Sequence, residues 1–170
     1  MIIMDESFML FPMALLNQHI ITEVSKCNSY TDRFGLKLSE QDIGVLVENR
    51  KESLQRSGRI EFGGGVIQKI IQEFADSPYI YQDVYLDTIT QLQDIFYHYK
   101  NESMDELTDD ELIKVMRKYF DEVCHGSLEY LSTTALENHC RDIRYRVKQY
   151  SESTGYEDNY EEFLDWDKED

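Results

Sequence analysis

A mainly α fold, a single-domain bundle of about six helices, is predicted by three observations. Apolar residues recur every three or four positions in successive stretches, the period that lines one face of a helix. Two prolines and eight glycines in 170 residues are too few for the frequent tight turns of a sandwich or barrel. Hydrophobic residues at 41% and aromatics at 12% supply enough apolar surface for one sizeable core. The predicted organisation is a helical domain over 1–150 and an acidic aromatic tail over 151–170.

The first helix is predicted from about Ala14 to Cys27, on the stripe Leu16, Ile20 or Ile21, Val24 and Cys27. It is preceded by an apolar run, Phe8 to Leu16, which follows Asp5 and Glu6 and is interrupted by Pro12. That run lacks the basic flank of a signal peptide, and it is about half of the roughly 20 residues that a membrane span needs. Ser39 is a good N-cap for the second helix, with Glu40 and Asp42 in its first turn and Ile43, Leu46, Val47, Arg50 and Leu54 as its stripe. Leu36-Lys37-Leu38 and Ile60-Glu61-Phe62 flank it, each beside a glycine, and can pair as a minor two-stranded β ribbon.

Val66, Ile67, Ile70, Ile71 and Phe74 predict a short third helix, ended by Asp76-Ser77-Pro78. The fourth, about Gln82 to Lys100, turns Tyr85, Ile89, Leu92, Ile95, Phe96 and Tyr99 inward and suits the centre of the scaffold. Thr108-Asp109-Asp110-Glu111 reads as a capping box that opens the fifth, whose core face is Leu112, Val115, Met116, Tyr119, Phe120 and Val123 and which closes before Gly126. The sixth, about Ser132 to Tyr150, carries Leu136, His139 or Cys140, Ile143 and Val147.

Charge restricts the partners. Acids outnumber bases by 34 to 17, a net charge of −17, and such a surface repels phosphate backbones and anionic lipid. Neither nucleic acid nor a membrane is therefore expected as partner. Nine of the last twenty residues are acidic and one, Lys168, is basic, with Tyr156, Tyr160, Phe163, Leu164 and Trp166 interleaved: the composition of a segment that folds against something. The basic cluster Arg141, Arg144, Arg146 and Lys148 is expected to pair internally, with the tail or with the acids between Glu102 and Glu111. The tail is expected to return across the sixth helix and to anchor Phe163, Leu164 and Trp166 in a groove.

Chemistry leaves few signals. Cys27, Cys124 and Cys140 lack framework spacing, so reduced thiols in the cytoplasm are expected. Cys124-His125 and His139-Cys140 would present two thiolates and two imidazoles to zinc if the last two helices brought them together. The C-x2-C spacing that wraps zinc is missing, and core packing is the favoured reading. Glu122 and His125 have the Glu-x-x-His spacing of a di-iron bundle, but no second copy exists. Gly63-Gly64-Gly65, with Arg59 or Lys69 as counter-charge, can cradle a phosphate or simply make a bend. Asp109, Asp110 and Glu111 are explained by helix capping, and no nucleophile signature accompanies His19, His98, His125 and His139. No catalytic, cofactor-binding or metal-ligating residue is assigned.

The stretch FGLKLSEQDIGVLVENRKESLQRSGRIEFGGGVIQKIIQEFADSPYI, with the later YHYKNE and DDELIKVMRKYFDEVCHGSLEYL, resembles a family of Firmicutes-type bacterial proteins known only as a domain of unknown function. The resemblance covers about Thr31 to Arg144. It implies a stand-alone bacterial cytoplasmic protein and brings no activity, ligand or catalytic residue with it. The expected function is a small acidic protein-interaction protein of adaptor type, without catalysis, with a protein partner or a second copy docking on the Phe8 to Leu16 run or on the tail. The alternatives are a metal-binding or small-molecule enzyme with its site between the C-terminal helices, and an acidic mimic of nucleic acid.

Overall fold

The computed structural model describes residues 6–61 and 65–154. Helix α1 (Glu6–Thr31) leads to α2 (Glu40–Ser57), α3 (Gly65–Phe74), α4 (Tyr85–Glu102) and α5 (Asp109–Glu122). A last rod joins α6 (Leu128–Tyr130), a π-helical turn (Leu131–Ala135) and α7 (Leu136–Thr154). The mainly α bundle is thus confirmed, and among the described residues no strand is present.

Local chemistry sets most boundaries. Ser39 and Asp42 exchange side-chain bonds with each other's backbone amides at the start of α2, and Thr108 and Glu111 do the same for α5. Gly58, at φ 67°, ends α2 and donates to the Gln55 carbonyl. Helix α1 begins at Glu6, not near Ala14, and includes Pro12, which ordinarily disfavours a helix interior by removing one amide donor and crowding the carbonyl four residues back. Of the Phe8 to Leu16 run, only Leu15, exposed, and Leu16, packed on the core, have described side chains. Residues 155–170, the bulk of the predicted tail, lie outside the described residues, whereas 151–154 belong to α7.

The β ribbon is not formed by its described half. Leu38 donates its N–H to Asn28 Oδ1, and its carbonyl accepts from Asn28 Nδ2, both at 2.9 Å. Lys37 is held the same way by Gln82, at 2.8 and 3.0 Å. Two carboxamides thereby replace the peptide groups of a neighbouring strand, and no ladder is left to make. Phe62, at the end of the other half, lies outside the described residues.

One contiguous core runs through the bundle, from Ile20 and Val24 in α1 to Leu136 and Cys140 in α7. Its axis is α4, which buries Tyr85, Ile89, Leu92, Phe96, Tyr97 and Tyr99 among its neighbours α2, α3, α5 and α7. Tyr97 donates to Glu61 at 2.8 Å, and the same carboxylate receives Arg50, the buried cation in the stripe of α2, at 3.3 Å. Tyr99 donates to the Ser132 carbonyl in the π turn. Among the described residues no helix is long and apolar enough to cross a membrane.

Candidate functional site: the groove between α5 and α7

Helix α5 buries Leu112, Ile113, Met116 and Phe120. Ile113 replaces the predicted Val123, which is 46% exposed because the helix has ended at Glu122. Val115 and Tyr119, one turn apart, form a half-buried flank beside that stripe. On α7, Leu136, Cys140 and Ile143 are buried, while His139 and Val147 form the matching flank. Tyr119 Oη lies 3.0 Å from His139 Nδ1, and the earlier Glu111 and Val115 line one groove with the later Ile143, Val147 and Tyr150, the order of two antiparallel helices.

Between these flanks is a groove of about 870 Å³. Leu107, Val115, Ile143 and Val147 supply apolar wall, and Tyr150 stands at its far end on α7. Lys114 and Arg146 contribute positive charge, and Glu106 and Glu111 negative charge. Burial, with Arg146 nearby and against the opposing pull of Asp142, lowers the His139 pKa below its ordinary 6.5, so the imidazole facing the groove is neutral near pH 7.

Two other hollows are centred on ion pairs already made within the bundle. The space of about 260 Å³ between α2 and α4 is lined by Arg56 and Asp94, which pair with each other at 3.2 Å. The basin beside α3 is dominated by Arg117, already held by Asp76, Asp121 and the Glu73 carbonyl.

Cys124, His125, His139 and Cys140 are not brought to one point. His125 is exposed, at φ 47°, with Nδ1 3.2 Å from Tyr79 Oη, whereas His139 faces Tyr119. Cys140 is fully buried and its thiol is pushed up to about 11, with burial as the main cause. Among the described residues no three His, Cys, Asp or Glu side chains are grouped as metal ligands. Glu122 and His125 do not share a helix, so their spacing loses its meaning. Of the candidate phosphate cradle, Gly63 and Gly64 lie outside the described residues. Its counter-charges are engaged, Arg59 by Asp105 at 2.8 Å and Lys69 by Asp110 at 3.0 Å. Arg144, from the basic cluster, is clasped by Glu102 and Glu137.

The groove was missed by stripe counting, since Val115, Tyr119 and His139 read equally well as core. The available signal was width: both helices carry apolar residues over a broader arc than one contact needs. What the arrangement offers is an apolar trough with a few polar groups at its edges, among them an imidazole paired with a phenol.

Comparison with curated proteins and with solved structures finds no match. A family model does match, over residues 23–149, a span that includes both walls of the groove except Tyr150. The chain belongs to DUF6323, a family of unknown function.

Proposed function

We propose that this is a protein-interaction protein whose groove between α5 and α7 docks an apolar segment of a partner protein. The observation that carries the reading is the trough itself, about 870 Å³ walled by Val115, Ile143 and Val147 and flanked by charges. Two antiparallel helices present a seat for a third, and a partner helix with apolar anchors one turn apart would complete a three-helix contact. The field of a −17 chain disfavours nucleic acid and anionic membranes as that partner. Buried thiols at Cys27, Cys124 and Cys140, unlinked to one another, suit a reducing cytoplasm.

The test is co-purification from the native host with wild type, Val115→Asp and Val147→Asp. Both valines are half-buried groove residues, so a carboxylate there spoils the trough while most of the core is kept. A protein recovered with wild type and lost with both variants is the expected result. Recovery of the same proteins with all three chains would show that the groove does not dock them.

A further inference from the structure

Resting on that reading of the groove, we infer that its occupant is a second copy of this chain: α7 of each protomer lies in the groove of the other, giving a two-fold symmetric dimer. The groove is an open seam. Helices α5 and α7 each pack on α4, and the hydrogen bond that joins them is at the Tyr119–His139 end. The stretch between Leu107 and Tyr150 is left uncovered by any described element. Val147 and Tyr150 stand on that stretch, and Tyr150 is 67% exposed.

Charge selects the occupant. Where other helices meet, opposite charges close the seam: Lys69 with Asp110 between α3 and α5, Arg56 with Asp94 between α2 and α4, Arg144 with Glu102 between α7 and α4. Along the groove they do not. Glu106 and Glu111 on the α5 side and Arg146 on α7 line one trough, yet they form no ion pair among the described residues. Helix α7 is also the one helix in which bases outnumber acids, four to three. Of its four cations, Arg141, Arg144, Arg146 and Lys148, only Arg144 holds an acid among the described residues. An acid-lined wall and a cationic helix that do not meet within one molecule are complementary between two.

Symmetry makes the fit reciprocal. In a two-fold contact both copies use the same surface, so every residue pair occurs twice. Arg146, Val147 and Tyr150 are then wall in one copy and knob in the other: the apolar pair enters the trough, and Arg146 meets the acids at its α5 edge. The rim holds two acids, Glu106 and Glu111, and two bases, Lys114 and Arg146, a locally neutral patch on a chain of net charge −17. A second copy is therefore repelled less at this face than the net charge implies. At about 0.15 M salt the Debye length is about 8 Å, so the distant charges of two copies are screened while pairs in contact are kept. The apolar walls alone would accept many helices; the charge pattern is matched by one already present in the chain.

Sedimentation equilibrium of the full-length chain over the micromolar range is expected to give twice the monomer mass of 20.2 kDa, with dissociation on dilution. Val147→Asp should give a monomer. Glu106→Lys and Arg146→Glu, each alone, should raise the dissociation constant about tenfold or more, because each sets like charges together twice in a symmetric dimer. Mixed in equal amounts, these two variant chains should regain a dimer of near wild-type strength, since both contacts between the unlike chains again join opposite charges. The charge variants alter exposed side chains and should leave far-UV circular dichroism unchanged, so they decide the matter if Val147→Asp fails to fold. A wild-type chain that stays monomeric across that range would overturn the inference. So would a dimer indifferent to all three variants, which would place the contact elsewhere, or one lost in both charge variants and not regained on mixing.

The dimer and the docking of another protein fail separately. A monomeric wild type that still recovers a groove-dependent host protein would refute the dimer and keep the docking function. A groove-dependent dimer without any groove-dependent host protein would keep the dimer and refute a foreign partner. A mass and a set of recovered proteins that both ignore the groove variants would end both.

Discussion

At the scale of single residues, the same side-chain type is used in opposite ways according to what surrounds it. Arg50 sits in the apolar stripe of α2 because Glu61 meets it at 3.3 Å while also accepting from Tyr97, so a buried cation and a buried phenol share one carboxylate. The place of Arg50 in that stripe was readable from spacing, but its partner was not, since Glu61 lies beyond the end of the helix and a carboxylate in a loop gives no periodic signal. His139 shows the converse: burial and Arg146 hold its imidazole neutral. The unfolded chain takes up a proton near the ordinary value of 6.5, where the folded chain does not. Acid therefore favours unfolding, and this contribution to stability, complete above that value, is lost as pH falls through the window below it. Thermal melts at about pH 7 and about pH 5 should show a larger loss for wild type than for His139→Gln, whose amide can still accept from Tyr119. Equal losses would remove the imidazole from the account.

Elements whose cause is local were legible, and those whose cause is tertiary were not. The capping boxes at Ser39 and Thr108 and the buried face of α3 follow from a few adjacent residues. The carboxamide clamps on Lys37 and Leu38 depend on Gln82, 45 residues away, and on Asn28, ten residues back in another helix, and at the π turn Leu131–Ala135 the Ser132 carbonyl accepts from Tyr99. The end of α5 combines both kinds of cause. Gly126 is a plain stop signal in sequence, and the structure adds that its φ is 86° and that a Cβ would stand 2.7 Å from Tyr79 Cβ. Gly126→Ala is therefore expected to cost about 2–4 kcal/mol, the sum of a left-handed backbone and an overpacked contact. Urea unfolding would measure it; a loss below about 0.5 kcal/mol, the usual effect of a surface change, would mean that the turn relaxes freely.

For the molecule as a whole, the dominant quantity is charge. At −17 the folded chain repels itself, and its ion pairs are mostly at partly exposed sites where each contributes little. Screening should therefore stabilise it: the melting temperature is expected to rise between about 20 mM and about 500 mM NaCl, over which the Debye length shrinks from about 20 Å to about 4 Å. A fall would show that the pairs at Arg117, Arg144 and Lys100 outweigh the repulsion. The three sulfhydryls offer a way to watch this balance shift. Cys27 lies in α1, Cys124 after α5 and Cys140 in α7, each buried and each with its acidity weakened by that burial. Alkylation in native buffer must wait for a local opening at each position, so the relative labelling times of the three sites form a clock of which part of the bundle loosens first.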